Sequence, residues 1–146
     1  MRLLLLTAGL LAAAIVTLSA FALDEGEVVT LASIDGANAR FETSVWIVEI
    51  DGVSWLRATR PQALWLARLR RHPEVAITRG DLPHQPFRAT PVDTSDERRR
   101  VNEEMAHKYG AADGILRRFV DVNQAVPVRL EPRAADGARK PAPQSP

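Results

Sequence analysis

The sequence predicts a mainly β protein with a few helices, an α+β chain whose roughly six short strands form a small closed or half-closed barrel flanked by two to three helices. Three observations lead there. Short β-rich runs recur along the chain and are separated by turn dipeptides, Asp35-Gly36 and Asp51-Gly52 among them. One of these hairpins is apolar on both faces, as strands covered on both sides require. The helical segments are few and open on capping residues, which does not suit a doubly wound sheet.

Each element has its own reason. Val28 to Ile34 is β-branched and apolar, and Asp35-Gly36 signals a hairpin after it. The run TSVWIVEI, then Asp51-Gly52, then VSWLRA forms a second hairpin. A two-residue turn there sets Ile50 opposite Val53, Val48 opposite Trp55 and Trp46 opposite Arg57. One face therefore carries Trp46, Val48, Ile50, Val53, Trp55 and Arg57, and the other Val45, Ile47, Glu49, Ser54, Leu56 and Ala58. Thr59 and Gln62 have capping-box spacing with Pro61 between them, which predicts a helix with Gln62, Trp65, Leu66 and Leu69 on one face. His72-Pro73 ends it. EVAIT reads as a strand, Arg79-Gly80-Asp81 as a turn, and PFRATPV as an extended segment whose prolines suit an edge.

A second capping box, Thr94 with Glu97, opens a helix with Val101, Met105 and Tyr109 as its buried stripe and a stop at Gly110. A short helical piece is expected over residues 115–120. VPVRL alternates as a last strand with Val126, Val128 and Leu130 on one face.

At 146 residues, with 46% hydrophobic and 25% charged residues, the chain suits one globular domain with extensions. Residues 1–22 have an early cation, a long apolar run and Ala20-Phe21-Ala22, the pattern of a signal peptide or uncleaved membrane anchor. This predicts an exported protein of the periplasm or cell envelope, touching membrane only through that segment if it is not cut. It carries no twin-arginine motif, so the chain is expected to cross unfolded and without cofactor. Residues 23–131 form the domain. Residues 132–146, rich in proline, alanine and small polar residues, read as a disordered tail.

A net charge of +1 gives no field to attract nucleic acid, and Arg98-Arg99-Arg100 reads as a solvated helix face among acids. The absence of cysteine excludes disulfides and thiolate metal sites. His72, His84 and His107 have no metal-binding spacing, and no nucleophile elbow, phosphate loop or dinucleotide fingerprint is present.

The stretches ETSVWIVEIDGVSWLRAT, LWLARL followed by HPEVAITRG, the late HKYG and the closing VPVRLEP together resemble the split β-barrel of flavin-binding proteins related to pyridoxamine-phosphate oxidase. Within that superfamily the sequence looks closest to small bacterial proteins allied to deazaflavin-dependent oxidoreductases, including a group of unknown function. The resemblance implies a homodimer that binds FMN or a deazaflavin in a cleft and acts by hydride transfer on an unknown small molecule. It implies a phosphate held by Arg57, Thr59 and Arg60, with Gln62 nearby, and Trp46 or Trp55 stacked on the ring. A guanidinium fork and a helix amino terminus both suit phosphate. The residues also admit simpler roles: tryptophans in the core, a cation–π pair between Arg57 and Trp46, and Thr59 as a plain cap.

The chain departs from deazaflavin-dependent relatives at DGANARFET, where they carry a basic, serine-containing turn and this sequence has Arg40 as its one cation. It departs again at Asn123 to Val126, where those relatives often carry an arginine. Three readings stay open: an exported flavin- or deazaflavin-binding oxidoreductase-like protein, a cofactor-free split-barrel binding or scaffold module, and a subunit whose barrel serves to dimerise. Under the first, Arg57 is a rim arginine whose loss weakens FMN binding at little cost in stability.

Overall fold

The structure, a computed structural model, describes residues 26–82 and 84–134. The expected signal or anchor over residues 1–22 and almost all of the expected tail lie outside the described residues.

Six strands run in the order anticipated: β1 (Val28–Ile34), β2 (Arg40–Ile50), β3 (Val53–Ala58), β4 (Glu74–Thr78), β5 (Gln85–Pro91) and β6 (Val126–Pro132). They close into an antiparallel barrel of order β1-β2-β3-β6-β5-β4. Two helices join them: α1 (Leu64–Arg71) between β3 and β4, and α2 (Ser95–Leu116) between β5 and β6. A single 3-10 turn, Val122–Gln124, precedes the last strand. The fold is thus a closed six-stranded α+β barrel, as the strand pattern predicts.

The Asp51-Gly52 turn has positive φ at both residues, 52° and 77°, the conformation whose twist matches a two-residue hairpin. It sets Ile50 opposite Val53 and Val48 opposite Trp55, as expected. The ladder ends at Ile47 and Leu56, so the anticipated Trp46–Arg57 rung is not formed; Trp46 instead pairs with Val28 of β1. The first hairpin needs five residues rather than two. Asp35 folds that loop by accepting backbone hydrogen bonds from Ala37 and Ala39 at 2.9 and 3.0 Å.

The two apolar faces of the β2–β3 hairpin have different fates. Val45, Ile47, Leu56 and Ala58 point into the barrel, where they join Leu31, Ile77, Ala89, Val126, Val128 and Leu130. Trp55 and Val48 point outward and are covered by Val101, Met105 and Tyr109 of α2. Each large side chain so buried stabilises the fold by about 1.5–3 kcal/mol. Leu66 and Leu69 of α1 also join the interior cluster, so the short helix plugs the barrel.

Three local expectations are corrected. First, Thr59 and Gln62 do not cap a helix. The segment 59–62 is a turn closed by the Ala63 amide donating to the Arg60 carbonyl at 3.1 Å, and α1 starts at Leu64 with no side-chain cap. Pro61 suits that turn as well as it suits a helix start, and Gln62 is exposed rather than on the buried face. Second, β5 is not an edge: it pairs with β4 and β6, because a closed barrel has none. Its prolines fall near the ends of the strand, at 86 and 91, where few ladder bonds are lost. Third, α2 does not stop at Gly110. It kinks there, at φ 45°, a conformation open to glycine, and resumes to Leu116. Its start is as predicted, with the Thr94 hydroxyl accepting from the Glu97 amide at 3.4 Å.

Candidate functional site

The kink at Gly110 turns the end of α2 back over β3. Asp113, on the short limb beyond the kink, is thereby fully buried against Arg57 at the end of β3. Arg57 donates to one carboxylate oxygen of Asp113 and, at 3.2 Å, to the side-chain carbonyl of Asn102. Arg117 donates to the other Asp113 oxygen at 2.5 Å and to the Asn102 backbone carbonyl at 2.9 Å. Asn102 in turn donates to the Val122 carbonyl at 2.8 Å. The side chains of Arg57 and Asp113 are only 2% and 1% exposed. Burial pushes the Asp113 carboxyl up, but its bonds to Arg57 and Arg117 outweigh that and hold it below the usual carboxylate range. It is ionised, as its partners demand.

A second polar device lies one turn earlier. By the β1–β2 register, Glu27 would be the next residue opposite Ile47, but β1 begins only at Val28. The Tyr109 hydroxyl occupies that rung. It accepts from the Ile47 amide at 2.9 Å and faces the carbonyls of Ile47 and Glu27 at 2.8 and 2.6 Å. Burial is the main reason that its pKa is pushed up to about 12. The Tyr109 ring stacks on Trp46 with 4.3 Å between centroids and 7° between planes.

Between these devices opens a cleft of about 390 Å³. Val28, Ser44, Val45 and Trp46 line it from β1 and β2, Arg57 and Thr59 from the end of β3, Trp65 from α1 and Leu116 from the limb beyond the kink. Its walls are chiefly apolar, with Ser44 and Thr59 supplying hydroxyls. Among the described residues, a groove of about 560 Å³ runs along the outside of α2 and one of about 500 Å³ lies on the segment 117–123 that follows it, both lined mostly by charged or polar residues.

Of the residues singled out from sequence, the fold brings Trp46, Arg57 and Thr59 together in this cleft. Trp55 lies elsewhere, beneath α2 and 6% exposed. Arg60 and Gln62 are exposed on the turn that follows and are not among the lining residues. Arg57 is no rim arginine. It is a buried cation held by hydrogen bonds to Asp113 and Asn102, so the expectation that its loss is nearly free in stability does not hold. Sequence reading missed Ser44, Trp65, Leu116 and, above all, Asp113. Gly110 of HKYG reads from sequence as the end of the helix rather than a kink, and nothing local shows which acid the continuing limb would deliver. Among the described residues no group of three or more histidines and carboxylates is placed to hold a metal.

No family model matches the sequence, and a sequence search of curated proteins also finds no match. Solved structures do resemble the fold. A conserved hypothetical protein of Mycobacterium tuberculosis is 22% identical, with 77% of this chain and 76% of that one covered and a TM-score of 0.58. A protein of Listeria innocua, provisionally named a pyridoxamine 5′-phosphate oxidase, is 16% identical over 73% and 84%, with a TM-score of 0.56. An F420 reductase is 15% identical over 76% and 90%, with a TM-score of 0.53. The same barrel also occurs in a heme storage protein of Vibrio cholerae, 17% identical over 76% and 84%, with a TM-score of 0.59. The chain therefore has the split-barrel fold of pyridoxamine-phosphate-oxidase-like proteins. At these identities the likeness is one of fold.

Proposed function

We propose that the cleft between β1, β2 and α1 binds the flat ring system of a flavin or deazaflavin, and that the protein is an oxidoreductase-like exported protein acting on a small molecule. The observation that carries this reading is the pair Trp46 and Trp65 on the walls of one apolar slot, with two hydroxyls and no exposed charge among the lining groups. Such a slot matches a planar heteroaromatic ring with few polar edge atoms. Trp46 and Trp65 would hold the ring, while Ser44 and Thr59 would meet its polar edge. When bound, a flavin supplies hydride or electron transfer. This chain's own contribution is to bind and orient the ring and keep water from one side of it.

The fit extends to the ring and not to a phosphate on Arg57, whose side chain presents almost no surface. Neighbours of this fold named for pyridoxamine-phosphate oxidase and F420 reductase support the class of ligand. A homodimer belongs to the same proposal. Val28 of the cleft lining is exposed, as are the apolar residues Leu64 and Ile115, next in sequence to the lining residues Trp65 and Leu116, and a second copy would cover them.

The test is titration of the purified full chain with FMN and with a deazaflavin, followed by tryptophan emission and by ligand fluorescence. Saturable quenching that Trp46→Ala or Trp65→Ala weakens about tenfold or more supports the proposal. Light scattering should return a dimer at micromolar concentration. One observation favours a second reading, a cofactor-free binding module: Trp46 is stacked on Tyr109 and Arg57 is paired with Asp113, so both are satisfied within the chain itself. Unchanged emission of both chromophores throughout the titration would leave that reading standing.

A further inference from the structure

Arg57 lines the cleft, yet Asp113 stands directly behind it and takes up its charge. We infer that Asp113 is a specificity-determining residue that screens Arg57 and sets the cleft to select uncharged aromatic ligands over anionic ones. This rests on the reading of the cleft as a ring-binding site and deepens it: recognition is of the ring, and a phosphate tail adds nothing at the cleft floor.

The argument is electrostatic and geometric. Opposite charges in contact present a dipole to a third group, and its field falls off faster than that of a free cation. An anion competing for the guanidinium would do so against Asp113, already in contact with it, and displacing Asp113 would leave a buried carboxylate with one partner fewer. The whole network holds two arginines and one aspartate and so carries one excess positive charge, but its solvent-facing cation is Arg117, 36% exposed against 2% for Arg57. Arg117 lines the groove along the outside of α2 and the one on the segment that follows it, and is not among the residues of this cleft. Asn102 fixes the arrangement from behind, accepting from Arg57 and receiving Arg117 on its backbone carbonyl. The remaining polar groups of the lining, Ser44 and Thr59, are neutral.

The experiment compares riboflavin with FMN, which share a ring and differ by a phosphate, on the full chain and on Asp113→Asn. The parent should bind riboflavin at least as tightly as FMN. Asparagine keeps the size and loses the charge, so Asp113→Asn should favour FMN over riboflavin by about tenfold. The doubly neutral variant Arg57→Gln/Asp113→Asn should return to the parent's ratio. FMN bound about tenfold tighter than riboflavin by the parent, or an unchanged ratio in a folded Asp113→Asn chain, overturns the inference while leaving flavin binding intact. Thermal melts followed by circular dichroism establish that each variant is folded; should Asp113→Asn not fold, the parent's ratio decides. If neither flavin binds, the proposed function fails, and the inference is read with N-phenylnaphthylamine and its anionic sulfonate. Tighter binding of the uncharged probe upholds it; tighter binding of the sulfonate, or binding of neither, overturns it.

Discussion

The barrel interior and the buried node beneath the kink of α2 are two kinds of core in one small domain. The interior is chiefly apolar: Leu31, Ile47, Leu56, Ile77, Val128 and Leu130 are all at most 2% exposed and pack in one hydrophobic cluster. Its cohesion is non-directional, so it tolerates exchange of one aliphatic residue for another of similar volume. The node joins Arg57, Asp113, Asn102 and Arg117 by directed bonds, each of which has a unique partner. There the loss of one member strands the others. The first region makes the fold; the second fixes where the end of α2 lies and what the cleft presents.

The sharpest way to break that contrast is Asp113→Ala. It leaves the Arg57 cation buried and unpaired, and the expected cost is about 3–5 kcal/mol, measured by urea denaturation. The effect should depend on pH. The folded Asp113 carboxyl is held below its ordinary value, so its contribution is fully present above the unfolded pKa of about 3.9 and is lost as pH falls through the folded value. The stability difference between parent and Asp113→Asn should therefore be constant from about pH 5 upward and shrink below about pH 4. A difference that widens on acidification would contradict an ionised Asp113.

Leu31→Ala tests the other region. It should cost about 2–4 kcal/mol through lost burial and a residual cavity. The loss should be the same at pH 4 and pH 7, because this side chain packs in a cluster of hydrophobic residues. A pH-dependent loss would show that the two regions are coupled.

Tyr109→Phe sits at the boundary between them. The ring still stacks on Trp46, but the Ile47 amide loses its acceptor at the missing rung. A loss of about 1–2 kcal/mol is expected, with faster hydrogen exchange at the Ile47 amide. Protection of that amide unchanged in the variant would mean that the hydroxyl is not what completes the ladder.

Thr59→Ala should do least to stability, within about 0.5 kcal/mol, because Thr59 caps no helix. A loss of about 1 kcal/mol or more, the usual penalty for a missing cap, would restore the capping role. Its effect on flavin affinity is a separate reading, since its hydroxyl belongs to the cleft lining.

Alternation and turn chemistry alone determined much of this protein. Asp51-Gly52 can hardly be read otherwise than as a tight hairpin turn, and once Ile50 faces Val53 every side chain of both strands is assigned to a face. Val101, Met105 and Tyr109 declare the buried stripe of α2 by spacing, and Val126, Val128 and Leu130 the inward face of β6. These signals are local: they depend on residues within a turn or two of one another. The closing of the barrel was legible only as a class, since the β1–β4 pairing that removes the edge joins residues far apart in the chain.

The site depended on what no local pattern contains. Thr59, Pro61 and Gln62 satisfy the rules for a helix start and for a turn equally well, and packing of Leu66 and Leu69 into the barrel chose the turn. Arg57 reads from sequence as a free cation because its partner lies 56 residues away. Only the kink at Gly110 brings Asp113 under β3, and that contact converts a candidate phosphate ligand into one half of a buried ion pair. Hydrophobic period is set by neighbours along the chain, whereas the charge state and reach of a side chain are set by neighbours across it.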